Sequence, residues 1–317
     1  MLKNRPSFEQ IDYTIRPAKS IERKMIGEML AHLRVFRPVS DYVYVGLGST
    51  FFTDFVLYHK LFGICEMLSI EKETTRQHRV DFNIPFSCVK TEYGKTTDVL
   101  PRLNWDKPAI VWLDYDGKID AGTQDDITFL ARNLVSSSVL IVTTRAENND
   151  FPAGNPPNLE LRLALIRKAL DERVPDDLKP RHLSNLGEVI YRLTNSAIKQ
   201  TLSEANAARQ DSTRIGASQI MHFRYADGVK MITLGWIFLN HEDTRRYHRS
   251  HLSTLPFFKS GSNAFRIQPP KLTFKERKHL DSQLPGALAD CPDVPRSDIA
   301  EYARLYRYYP WFTESEI

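Results

Sequence analysis

The stretch Tyr42-Val43-Tyr44-Val45-Gly46-Leu47-Gly48-Ser49-Thr50 decides the reading of this chain. Its first half is β-branched and aromatic, which suits a buried strand, and its second half breaks that pattern with two glycines. The run FFTDFVLYHKLFG (51–63) then reads as a helix stopped by its terminal glycine. The same unit recurs downstream: CEMLSIE (65–71) is a strand, ETTRQHRVDFN (73–83) a helix and SCVKTEYG (87–94) a third strand. Parallel strands joined by helices cross over right-handedly, so this order predicts a doubly wound α/β sheet.

Further along, AIVWLDYDG (109–117) is a continuous apolar run ending in polar residues. That is the pattern of a strand buried on both faces with a functional loop at its carboxyl end. A helix over Thr123 to Leu134 and a buried strand, SVLIVTT (138–144), follow. After the turn-rich AENNDFPAGNPP, residues Leu159 to Glu204 read as mostly helical, an insertion or an enlarged crossover. QIMHFRYADGVKMITLGWIFL (219–239) holds two β runs around Asp227-Gly228, a hairpin whose type I′ turn would need positive φ at both residues.

Upstream, Thr14-Ile15-Arg16-Pro17 reads as a short extended piece. A helix follows, in which Ile21, Met25, Ile26, Met29, Leu30 and Leu33 recur at three and four. Arg16, Lys19, Arg23 and Lys24 read most simply as its solvated face, with the mouth of a ligand cleft as the alternative. Beyond Asn240 the chain reads as irregular and basic to Pro270. Two short helices (273–283 and 297–309) and the aromatic YRYYPWF, which would seal the core or a subunit contact, complete it. The expected fold is α/β: a doubly wound, mostly parallel, seven-stranded sheet with a C-terminal antiparallel hairpin and helical additions. The expected segments are an N-terminal helical piece (1–40), an α/β domain (41–240) with a helical insertion at about 155–218, and a basic, aromatic extension (241–317).

Composition bounds the function. The chain has 317 residues, 42% apolar and 26% charged, which excludes collagenous and disordered classes. No run approaches the roughly 18 apolar residues of a membrane span, and Met1 to Asp12 is polar, so a cytoplasmic protein is expected. Cys65, Cys88 and Cys291 show no zinc-ligand spacing and no neighbouring histidine in sequence; Cys65 and Cys88 are assigned to the core. The net charge is only +4, yet His241 to Leu280 holds nine Lys or Arg against three acids. With Tyr247, Phe257, Phe258 and Phe265 interleaved, this stretch offers cations for phosphates and rings for bases, so nucleic acid is one partner weighed beside a protein or plain solvent. His241, His248 and His251 lack the spacing of a zinc helix.

A strand running into GLG and a helix exposes backbone N–H groups close to a ligand. Glu71, 25 residues after Gly46 and at the end of the next strand, suits a carboxylate that binds ribose hydroxyls. Phe51 stands where a dinucleotide fingerprint needs a third small residue, which disfavours an NAD oxidoreductase.

In these motifs and their order, the chain over about 41–149 resembles the class I S-adenosylmethionine-dependent methyltransferases, particularly their O-methyltransferase branch. VGLGST supplies two glycines of that family's turn, with Thr50 in place of the third and Tyr44 in place of the upstream acid. YGKTTDVLPRL resembles the segment of the third motif, and WLDYDGK resembles the fourth. The Asp227-Gly228 hairpin is similar to the antiparallel pair that distinguishes this fold from the dinucleotide-binding one. The resemblance implies that S-adenosylmethionine is held by Gly46, Leu47, Gly48, Ser49, Glu71, Gly94 and Asp114, and that Asp114 and Asp116 face the transferred methyl, either as base. It also raises a Mg²⁺ option of catechol type through Asp114, Glu147 and Asn148. The acceptor and the oligomeric state stay open. The alternative is a catalytically silent methyltransferase-like subunit that binds a nucleotide-like ligand or scaffolds a nucleic-acid or protein partner.

Overall fold

A computed structural model describes residues 16–286 and 290–310, so Thr14, Ile15, Trp311 and Phe312 of the extended piece and the aromatic tail lie outside the described residues. Five strands, β1 (Val43–Leu47), β2 (Glu66–Glu71), β3 (Val89–Tyr93), β4 (Ala109–Lys118) and β5 (Val139–Arg145), run parallel. β6 (Gly216–Ala226) and β7 (Lys230–Leu239) form an antiparallel hairpin, and β7 also runs antiparallel to β5. A short β8 (Phe265–Ile267) pairs in parallel with β6. The sheet order is β3-β2-β1-β4-β5-β7-β6-β8, so the chain changes direction of winding between β1 and β4.

Among the described residues the sheet has eight strands in place of the seven expected. β8 lies in the stretch read as irregular, and its three residues are too few for a period of two to register. Phe265 and Ile267 are nonetheless buried around an exposed Arg266. The same stretch also contains helix α7 (His241–Tyr247), capped by Asn240, whose side chain accepts from the Asp243 N–H.

Helices cover both faces. On one lie α1 (Pro17–Ala31), α2 (Thr53–Phe62) and α3 (Gln77–Phe82), packed over Tyr44, Met67, Trp112 and Ile141. On the other lie α4 (Ala121–Asn133), α5 (Leu159–Leu170) and α6 (Leu186–Ala207), over Val111, Leu113, Val142 and Trp236. The helical segment after β5 ends at Ala207, and β6 begins at Gly216. Two further helices, α8 (Phe274–Asp281) and α9 (Arg296–Leu305), meet in a small cluster around Leu280, Cys291, Ile299 and Tyr302. Among the described residues no helix is long and apolar enough to cross a membrane.

Three local expectations are corrected. The hairpin exists, but Ala226 pairs with Lys230 around a three-residue loop in which Gly228 alone has positive φ, +92°, so the turn is not type I′. Asp227 serves elsewhere: its carboxylate accepts from the Ala18 and Lys19 N–H groups at 3.1 and 2.8 Å, capping α1 from the far end of the chain. The charges of α1 are not simply a solvated face, since Lys19, Glu22 and Arg23 are all buried beside Ile21, Met25 and Ile26. Of the two cysteines assigned to the core, Cys65 is exposed and Cys88 is half-buried, packed against the core's edge, because each sits just before the amino end of its strand.

Candidate active site

Strand register brings three predicted residues into one row. Leu47 pairs with Ile70 and Gly46 with Trp112, so Gly48, one residue beyond the first pair and two beyond the second, stands level with Glu71 on one side and Asp114 on the other. Neighbouring strands are about 4.8 Å apart, which puts the two carboxylate-bearing backbones roughly 10 Å apart with the glycine between them. This row lies at the carboxyl ends of the strands where winding reverses, the crevice in which open α/β sheets bind ligands.

Packing explains why the row needs glycine. A Cβ on Gly48 would lie 1.9 Å from Ser69 Oγ, and one on Gly46 would press the rings of Tyr44 and Phe55 at 3.1–3.2 Å. The Gly48 N–H extends the ladder to Ile70 O at 3.2 Å. The turn then passes Ser49, whose Oγ accepts the Phe51 N–H, and reaches α2 through Phe52, buried and left-handed at φ +46°. Two buried hydroxyls here, Thr50 Oγ1 and Ser69 Oγ, have no hydrogen-bond partner among the described residues. Such orphaned groups beside a cleft fit a polar ligand.

Glu71 is nearly buried, and Oε1 accepts the Glu73 N–H at 2.8 Å. Burial raises its carboxyl pKa, and the nearby charges of Glu73 and Asp116 add to the rise. Asp116 itself is exposed on the same rim. Gly94 follows β3 at φ +146° and donates its N–H to the Glu71 carbonyl at 3.0 Å, so its contribution is backbone shape next to Glu71.

Asp114 is held from below by α1. Lys19 Nζ donates to Asp114 Oδ1 at 2.7 Å and to the Tyr225 hydroxyl at 3.0 Å, and lies 2.8 Å from Glu22 Oε2. The ammonium also sits 4.6 Å from the centre of the Trp112 ring. Glu22 is fully buried, which raises its pKa, and it accepts from Thr233 Oγ1, which in turn shares a hydrogen bond with Thr143. Thr143 accepts the Trp112 indole N–H. Only Asp114 in this chain of groups reaches solvent, at 29% side-chain exposure. A charge that is otherwise buried is thus presented at a single oxygen-rich outlet.

A second acid lies nearby. The Tyr44 hydroxyl donates to Asp54 on α2, whose pKa is raised by burial and lowered in part by Tyr44 and Arg23. Tyr44 occupies the place of the upstream acid, so the carboxylate on this side of the turn comes from the helix instead.

Other groups near the row fall elsewhere. Tyr115 faces the opposite layer, its hydroxyl donating to Asp126 on α4 at 2.6 Å, and Thr96 donates to the same carboxylate. The Mg²⁺ option does not fit. The Lys19 ammonium occupies Asp114, while the Glu147 carboxylate accepts the Lys230 N–H at 2.7 Å beside the short helical turn that contains Asn148. In the basic stretch, Phe257 and Phe265 are buried, and Arg246 pairs with Glu242 and Asp243.

Sequence reading missed Glu22, Asp54, Tyr225, Thr233 and the capping role of Asp227. One signal was available: Ala18, Glu22 and Ile26 share an i, i+4 row, so a carboxylate interrupts the buried face. Thr233, which bonds Glu22, and Tyr225, which bonds its neighbour Lys19, lie over 200 residues away and left no local trace.

The mostly parallel sheet with its reversed β7 sets the glycine row between two acids, Glu71 and Asp114. A family described as "Putative O-methyltransferase" matches residues 11–317, and the chain belongs to it. No curated protein sequence matches the chain. Similar solved structures include a precorrin-6y C5,15-methyltransferase from Geobacter metallireducens GS-15, at 10% identity and TM-score 0.33 over 66% of this chain and 85% of that one. Another is a geranyl diphosphate methyltransferase in complex with SAM, at 13% identity and TM-score 0.36 over 68% of this chain and 85% of that one.

Proposed function

We propose that the Glu71, Gly48 and Asp114 row binds S-adenosylmethionine and that Asp114 serves a hydroxyl acceptor. Glu71 would accept hydrogen bonds from the ribose hydroxyls, Gly46 to Ser49 would line the methionine end, and Gly94 would shape the wall beyond Glu71. When bound, the cofactor supplies an electrophilic methyl group. The protein's share is to align the acceptor and take its proton.

The observation that carries this reading is the Lys19 contact. A buried ammonium bonded to Asp114 Oδ1 fixes that carboxylate and leaves it facing solvent at the level of the glycine turn. An oriented carboxylate accepts a proton from an acceptor hydroxyl, whereas a freely rotating one spends entropy to do so. Asp116, exposed on the same rim, would assist acceptor binding. The free thiols support a reducing, cytoplasmic setting. Nucleic-acid contact through 241–280 would rest mainly on cations, because two of its rings are buried.

The test uses S-adenosylmethionine labelled in its methyl group and a panel of phenols, catechols and hydroxy acids. Asp114→Asn should lower methyl transfer at least about a hundredfold, the scale of general base catalysis, with S-adenosylhomocysteine affinity within a few-fold. Equal loss of both would make Asp114 a cofactor ligand.

A further inference from the structure

At the opposite end of the sheet the fold assembles three side chains that are far apart in sequence. His59 lies in the last turn of α2, Cys65 just ahead of β2 and Cys88 just ahead of β3. Their potential ligand atoms all lie within 4.8 Å of one another. Cys88 Sγ is 3.6 Å from His59 Nδ1. In a tetrahedral zinc site, bonds of about 2.3 Å to sulfur and 2.0–2.1 Å to nitrogen place those two atoms about 3.6 Å apart. The Phe86 ring, 4.3 Å from that of His59, limits the imidazole's rotation, and the exposed Cys65 leaves a path in from solvent.

We propose that Cys65, Cys88 and His59 bind one thiophilic divalent cation, with zinc as the physiological type and a water in the fourth position. Loading releases both thiol protons. His59 Nδ1, which now lies 2.8 Å from the Ile64 carbonyl as its donor, gives up that contact and moves its proton to Nε2, so the ring stays neutral. Burial together with the neighbouring Cys65 pushes the Cys88 thiol up. The cation ties together α2, β2 and β3, the elements that end or begin at the glycine turn, Glu71 and Gly94. It stands apart from the methyl-transfer row and takes no part in it.

Cobalt(II) is the probe, added to the full chain after reduction with a phosphine. The expected result is one equivalent bound, with sulfur-to-metal charge transfer and the visible bands of tetrahedral cobalt, displaced by zinc. Cys65→Ser and Cys88→Ser should each weaken binding by more than about tenfold, His59→Gln should weaken it as well, and Cys291→Ser should leave it unchanged. Should a serine variant fail to fold, peptide mass spectrometry of the wild type decides, because the cation must then shield Cys65 and Cys88 from alkylation. The proposal is overturned by reduced protein that shows no thiolate band at millimolar cobalt. It is equally overturned if the band survives in the double serine variant, or if the two thiols close to a disulfide in air while the reduced form takes up no metal.

Discussion

Replacing Lys19 by Met is the sharpest perturbation the structure offers. The ammonium is 1% exposed and touches three oxygens, those of Glu22, Asp114 and Tyr225, so the variant strands a carboxylate, Glu22, that has no access to water. Removing one partner of a buried pair costs about 3–5 kcal/mol, most of it the desolvation of the charge left behind. For a chain of this length 1 kcal/mol moves the melting temperature by roughly 1.5 °C, so Lys19→Met should melt about 5–8 °C below wild type. The double variant Lys19→Met/Glu22→Gln neutralises the stranded charge and keeps an acceptor for Thr233, so it should recover more than half of the loss. Differential scanning calorimetry with denaturant unfolding as a cross-check measures both. A single variant melting within 1 °C of wild type, or a double variant no better than the single, would refute the buried-charge reasoning. The double variant also loses the orientation of Asp114, so its methyl transfer should stay low while its fold returns.

Three further outcomes follow from the geometry. Gly48→Ala should destabilise by about 1–3 kcal/mol, as overpacking does; Ser69→Ala removes the Oγ at 1.9 Å, leaves only the Cβ at 3.2 Å, and should rescue part of the loss in a thermal melt of the double variant. Burial lowers the His222 pKa from 6.5 to about 4, with its ring N–H given to Gly261 O at 3.0 Å. The unfolded chain therefore takes up that proton first, and stability contributed by the neutral ring is lost as pH falls from about 6.5 toward 4, at up to about 1.4 kcal/mol per pH unit. Unfolding curves of wild type and His222→Asn should diverge above that window and converge within it; parallel curves would show that His222 does not titrate this way. Asp227→Ala, which strips the cap from α1, should cost about 0.5–2 kcal/mol in the same melts, and a neutral result would mean the N–H groups at Ala18 and Lys19 find water instead.

The central sheet was readable because each of its first five strands carries its own local signal, a β-forming run followed by a turn. Gly48, Glu71 and Asp114 were readable from the same strands: Gly48 follows β1, Glu71 closes β2, and Asp114 stands in β4 where the apolar run turns polar. β8 was not, since three residues cannot display a period, and neither was the support under Asp114. Lys19 and Glu22 look like an ordinary i, i+3 surface pair on a helix; only the approach of Tyr225 and Thr233 from a hairpin over 200 residues away turns them inward. The turn at Asp227-Gly228 was misread because Asp227 answers to a tertiary demand, the open end of α1, rather than to turn chemistry. The proximity of Cys65, Cys88 and His59 was likewise invisible, being a product of strand register.

The measurement that bears most directly on the central claim is calorimetric titration of S-adenosylhomocysteine into the wild type and into Glu71→Ala. Losing hydrogen bonds to a charged group costs about 1.5–3 kcal/mol, so the account predicts one site in the wild type and affinity roughly 10–150-fold weaker in the variant. Equal affinity for the two proteins, or no binding to the folded wild type, would contradict it.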